Sequence, residues 1–183
     1  VDSQYWNGST WTSTLDLPTA TMFGGGGGNH DDYLYAGGDR SGTNTPTKDT
    51  FEWNGSVWST GSDLVEYHDG GCSFGGNTTE AFIHSGHDGY TSAPYYKTYS
   101  GKWNGSAWSA SVSSTYGGQG RSGSGTPDDF IATAGYGFNG TGSLIDTYKT
   151  ESFDGTSWTN EEDFPNDAAG NKTAFAYGGT AAG

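Results

Sequence analysis

The sequence is short of bases, of sulfur and of long apolar runs, and each shortage removes a class of function. Seven Lys and Arg stand against 21 Asp and Glu, a net charge of -14. A nucleic-acid surface needs a basic stripe to displace counterions, and none is present, so nucleic acid is excluded as a partner. Anionic membranes are disfavoured for the same reason. No apolar run reaches the roughly 18 residues that a membrane helix needs, so no membrane insertion is expected. Cys72 is the only cysteine, which excludes an internal disulfide. The chain starts at Val1 with no signal-like segment, and so reads as a processed product or a piece of something longer.

Glycine and aromatics are abundant instead. There are 33 Gly, and Phe, Trp and Tyr make up 15% of the chain. Glycine at this level on its own is compatible with disorder, but disordered chains are poor in aromatics. Together the two suit short strands joined by tight turns. No window carries a 3.6-residue apolar period, so no substantial helix is expected.

One unit organises the chain. Trp6-Asn7-Gly8-Ser9-Thr10-Trp11 returns at 53–58 as Trp53-Asn54-Gly55-Ser56-Val57-Trp58. It returns again at 103–108 as Trp103-Asn104-Gly105-Ser106-Ala107-Trp108. A drifted copy, Phe153-Asp154-Gly155-Thr156-Ser157-Trp158, occupies 153–158. All seven tryptophans fall in these units, with Phe153 in the eighth place. Asn-Gly is the preferred pair for a two-residue type I′ hairpin turn, so each unit reads as a strand C, a turn and a strand D. The flanking aromatics are expected to fill the gaps between sheets. The Asn-x-Ser/Thr sequons at Asn7, Asn54 and Asn104 coincide with these turns, where Asn and Gly already have a geometric purpose.

Between the units the order repeats. A small-residue strand A covers Thr19–Phe23, then Gly70–Phe74, and begins again at Tyr116. An A–B turn is expected over Gly24–Gly28 and the polar residues after it, over Gly75–Thr79, and over Gly123–Pro127. Strand B ends in Gly37-Gly38, in Ser85-Gly86, in Gly135-Tyr136 and in Gly178-Gly179. A long loop leads from B to the next C. Gly24–Gly28 is no phosphate cradle, because no helix follows it.

A strand ending in Gly-Gly, followed by an aromatic and a Trp at a period near 50, resembles the kelch repeat. The likeness is greatest to the degenerate W-N-G-[ST]-x-W repeats of phage tail fibres and other large repetitive surface proteins. It covers essentially all of 1–183 as a single domain. It implies an all-β fold, a β-propeller in which each repeat is one blade of four antiparallel strands. The chain opens with C and D, holds three complete A-B-C-D sets and ends with A and B. That count gives four blades, with the ring closed by the N-terminal C-D and C-terminal A-B strands. One arc of a longer repetitive array is the alternative.

Propeller geometry places the C–D and A–B turns on one face and the B–C and D–A loops on the other. The second set varies, and varied loops on a rigid scaffold carry function. The candidate ligand residues are Asp39, Arg40, His87, Asp88, Tyr90, Tyr95, Tyr96, Tyr136, Phe138 and Asn139. Aromatics beside Asp, Asn and His are what sugar recognition uses. The expected function is a non-catalytic, adhesin-like module, extracellular or on a virion surface, binding a glycan or protein receptor within a larger assembly. The alternatives are a structural domain of a fibre, held by other chains, and a glycan-active enzyme, for which nothing selects a carboxylate pair. No cofactor is expected, calcium at Asp31-Asp32 and Asp128-Asp129 being the exception left open. His84 and His87-Asp88 form the most ligand-like cluster, without a second cluster at metal spacing. Cys72 falls in a small-residue strand and reads as buried and inert.

Overall fold

Turn residues cut this chain into short extended runs, and the computed structural model forms strands from them with no helix among the described residues. These are residues 3–41, 43, 45–89, 96–138, 144–146 and 148–163. The strands are β1 (Gln4–Trp6), β2 (Trp11–Ser13), β3 (Thr21–Met22), β4 (Gly25–Asn29), β5 (Asp32–Ala36), β6 (Asp39–Arg40) and β7 (Thr45–Pro46). Next come β8 (Thr50–Trp53), β9 (Trp58–Thr60), β10 (Ser73–Gly76), β11 (Ala81–His84), β12 (Ser100–Trp103) and β13 (Trp108–Ser111). The rest are β14 (Gly117–Gln119), β15 (Ser122–Thr126), β16 (Asp129–Thr133), β17 (Tyr136–Phe138), β18 (Leu144–Asp146), β19 (Thr150–Phe153) and β20 (Trp158–Asn160).

Three four-stranded antiparallel sheets result, in the orders β4-β5-β8-β9, β10-β11-β12-β13 and β15-β16-β19-β20. Each is one A-B-C-D set. Strand β10 packs against both β4 and β15, so the first strands of the three sheets lie side by side.

That contact corrects the expected position of strand A. The glycine run is the strand itself, not the turn after it. A Cβ on Gly27 would sit 2.6 Å from the Gly76 carbonyl oxygen, and one on Gly75 would collide with the Gly125 carbonyl. Only glycine lets these backbones approach so closely. The first turn is therefore shorter than expected and is held by the Asp31 N–H donating to Asn29 Oδ1 at 2.9 Å. Gly123–Thr126, expected as a turn, likewise pairs with Asp129–Ala132. The pair after strand B in the third sheet is Ala134-Gly135, one residue earlier than expected. Both its φ angles are positive, 56° and 108°, as they are at Gly37-Gly38 and Ser85-Gly86.

The Trp units form hairpins in a shared register, with Trp6 opposite Trp11, Trp53 opposite Trp58, Trp103 opposite Trp108, and Phe153 opposite Trp158. Their turns are four-residue loops rather than two-residue ones. Asn54 Oδ1 accepts from the N–H groups of Ser56 and Val57, both at 3.0 Å. Asp154 Oδ1 does the same for Thr156 and Ser157, at 2.9 and 2.7 Å. The position needs an acceptor, which is why Asp replaces Asn in the drifted copy.

The core lies between sheets. Leu34, Ala36, Phe74, Ile83, Trp103 and Trp108 pack between the first and second. Phe82, Phe130, Ala132 and Phe153, with Trp158 against them, pack between the second and third. Trp53 and Trp103 donate their indole N–H groups to the carbonyls of His30 and Thr78, at 2.7 and 2.8 Å. Phe153 has no such donor, and Lys102 Nζ lies over its ring at 5.2 Å instead. Trp6 and Trp11 depart from the expected role. They pack on each other at 5.8 Å and are mostly exposed, and among the described residues β1 and β2 pair only with each other. The strand expected beside them, 173–177, lies outside the described residues. Between this hairpin and the first sheet is a cleft of about 480 Å³ whose lining includes Tyr5, Tyr33, Tyr35, Trp53 and Trp58.

Candidate functional site

The segments between D and A, and between B and C, were expected to be irregular loops. They pair with each other. Strands β3, β6 and β7 form one small sheet and β14, β17 and β18 another. In the second repeat the same arrangement shrinks to two bridges, Asp69 to His87 and His87 to Tyr96. Two of the three repeats thus carry a small sheet beside the large one, and the second carries the two bridges in its place.

These small sheets touch. The Asp39 and Asp69 carboxyls, from neighbouring repeats, are both buried and lie close enough for Asp39 to disfavour the charge on Asp69. Asp69 lies 3.5 Å from His87 Nδ1. The Tyr96 ring meets His87 edge-on at 6.4 Å and Tyr136 at 5.8 Å. Lys97 pairs with Asp88 at 3.0 Å, both largely buried. Backbone bonds join the repeats as well. The Gly71 N–H donates to the Phe23 carbonyl and the Gly120 N–H to that of Gly70, both at 2.8 Å.

Pairing inverts part of the expectation. Asp39, His87 and Tyr96 are buried and Asp88 nearly so, because sheet formation turns them inward. They support the surface rather than form it. Arg40 and Tyr136 are exposed, with Arg40 held by Asp49 at 3.3 Å. Tyr90, Tyr95 and Asn139 lie outside the described residues. So does the Phe138 side chain, although its backbone belongs to β17.

Burial governs the electrostatics. It and the neighbouring Asp39 carboxyl push Asp69 up to about 7. His87 Nδ1 accepts from the Gly89 N–H at 3.0 Å, which puts the proton of the neutral ring on Nε2. Nδ1 and a carboxylate would then face each other as two acceptors. A protonated Asp69 removes that conflict. Burial also lowers His68 to about 4 and holds His84 well below the usual imidazole range.

The expected histidine cluster is taken apart by the fold. His84 Nδ1 faces Ser100 Oγ at 3.2 Å, and Nε2 faces Arg121 at 3.2 Å. Arg121 pairs with Glu151 at 2.8 Å in full burial between the second and third sheets. His84 is thus a packing residue, away from His87. The acid pairs also diverge. Asp32 accepts from the Thr78 N–H at 3.0 Å while Asp31 faces His30 at 3.2 Å. Among the described residues no three His, Cys, Asp or Glu groups converge as a metal site.

Asp69, Lys97 and Phe23 were missed as site residues. Asp69 and Lys97 look like ordinary loop charges until the repeats are brought together. Phe23 had a legible signal. Aligned on the first residue of strand A, it falls where the next two repeats have Gly71 and Gly120. It is 60% exposed.

No protein-family model matches the chain, and no curated protein matches it. The fold resembles that of YjhT. The solved structure of YjhT superposes with a TM-score of 0.60 at 12% identity. The match covers 83% of this chain and 49% of that one, so the chain spans about half the length of the structure it matches. At that identity the likeness concerns the fold alone.

Proposed function

We propose that the chain is a non-catalytic saccharide-binding module carried on a small β-propeller. The ring reading is supported by three like sheets whose first strands lie side by side. It is also supported by backbone bonds that step from repeat to repeat: Gly38 N–H to His68 carbonyl at 2.9 Å, and Gly86 N–H to Gly118 carbonyl at 2.7 Å. A fourth blade would combine β1 and β2 with strands from the last repeat. Residue Phe175 of that repeat aligns with Leu34 and Phe82, which fill the two gaps between large sheets.

One observation carries the binding reading. The two small sheets and the bridges of the second repeat come together over a buried support of Asp39, Asp69, His87 and Tyr96. Arg40 and Tyr136 are left exposed there. A planar ring for the apolar side of a sugar, beside charged and hydroxyl groups for its edges, is a carbohydrate-recognition surface. Weak single contacts gain strength by repetition, so the natural setting is a repetitive assembly, extracellular or on a virion. A second reading, a fibre domain bound to other chains, is favoured by the exposed Trp6 and Trp11 pair.

A glycan array probed with the whole chain tests the first reading. Saturable binding that falls at least about tenfold in Arg40→Ala or Tyr136→Ala is expected. Absence of binding to every arrayed glycan, with tight association to a second protein chain, overturns it in favour of the second.

A further inference from the structure

Two residues before strand A, all three repeats place a residue in the left-handed region. The φ angles are 63° at Phe23, 76° at Gly71 and 64° at Gly120. Glycine adopts this conformation without penalty, whereas a bulky aromatic residue is strained in it. The strain at Phe23 is not offset by packing, since the residue is 60% exposed. Its backbone role, accepting from the Gly71 N–H at 2.8 Å, requires only a carbonyl. Glycine would serve the fold better on both counts, as it does in the two sister repeats.

The surroundings show what the ring is exposed to. A Cβ on Gly120 would meet nothing within 4 Å, and one on Gly71 would meet only Gly120 backbone at 3.5 Å. The floor beyond the Gly71 bond is therefore bare and open. Arg40 pairs with Thr21, two residues before Phe23. Tyr136 pairs with Gln119, next to Gly120. An apolar ring and a bare peptide floor thus follow one another along the joined segments of three repeats, with Arg40 and Tyr136 on the strands paired to them.

Resting on the saccharide reading, we infer that Phe23 is the stacking platform on which a pyranose ring lies. The ring faces the apolar side of the sugar. One exposed ring beside a flat floor fits a single sugar unit rather than an extended row of side chains.

The test uses the whole chain, Phe23→Gly and Phe23→Trp, on an array of neutral and acidic oligosaccharides, with thermal melts in parallel. Phe23→Gly is expected to raise the melting temperature by about 2–4 °C, because the strain is relieved. It is expected to weaken binding to the strongest array glycan at least about tenfold, while Phe23→Trp keeps it. Wild-type binding that Phe23→Gly leaves unchanged overturns the platform alone and leaves the saccharide reading standing. A lower melting temperature in Phe23→Gly also overturns it, since the ring would then serve the fold. Failure of the wild type to bind any arrayed sugar overturns both.

Discussion

At the hairpin end of the large sheets, the repeats use the same side chains for the same bonds. Asn7, Asn54, Asn104 and Asp154 each accept from the N–H groups two and three residues on. At the small-sheet end they keep the backbone pairing and change the side chains. Asp39, His87 and Tyr136 occupy related places in the three repeats and have nothing chemical in common. The contrast separates two kinds of constraint. Where the side chain makes the turn, it cannot drift beyond another acceptor. Where the backbone makes the connection, the side chain is free to acquire a ligand.

The comparison breaks first if the core tryptophans are dispensable. Trp103 is 1% exposed, and Trp103→Ala is expected to cost about 3–5 kcal/mol in a denaturant titration. Trp11→Ala, on the mostly exposed hairpin, should cost under about 1 kcal/mol. Equal losses would mean that β1–β2 is packed as the other hairpins are. Gly27→Ala comes next, at about 1–3 kcal/mol, because its Cβ would press on the Gly76 carbonyl. A neutral result there would show that strand β4 can move away from β10.

The smallest effect is a slope. Asp69 ionises near 7 when folded and near 4 when unfolded. Between those values the folded chain binds more protons, so this group's contribution to stability falls as pH rises through the window. His68, held at about 4 by burial, works the other way. The unfolded chain binds the extra proton, and that contribution rises from about pH 4 to about 6.5. Burial lowers His84 and His87, which add to the rise. Asp69→Asn removes the falling part while the histidines remain. Melting temperature against pH should therefore climb more steeply in the variant than in the wild type. Superimposable curves would show that Asp69 titrates normally and that the Asp39–Asp69 contact does not form.

The β class, the hairpins at the Trp units and the A-B-C-D order of the large sheets were legible because they rest on local chemistry, on period, turn residues and aromatics. The hairpin register was not, since Asn-Gly read as a two-residue turn and the loops have four residues. Strand β4 was not legible either. Five consecutive glycines read locally as a break, and only the neighbouring backbone of β10 makes them a strand. The candidate face was half legible for a similar reason. Arg40 and Tyr136 were chosen for their variability and are exposed, but the burial of Asp39, His87 and Tyr96 depends on pairings across loops, between residues some 7–18 positions apart. The alignment that sets Phe23 opposite Gly71 and Gly120 can be made in the sequence, but only once strand A is started at Gly25 rather than at Thr19.

The four turns also bear on chemical ageing. Asn-Gly is the dipeptide at which chains lose ammonia most readily, and three of these turns carry it, at Asn7, Asn54 and Asn104. The aspartyl product is the residue already standing at Asp154, where two backbone N–H groups hold its carboxyl below the usual carboxylate range. Deamidation at the other three turns would add negative charge to a chain that is already acidic; the aspartyl product would leave the hairpin its acceptor, whereas the more abundant isoaspartyl product would lengthen the backbone through the turn.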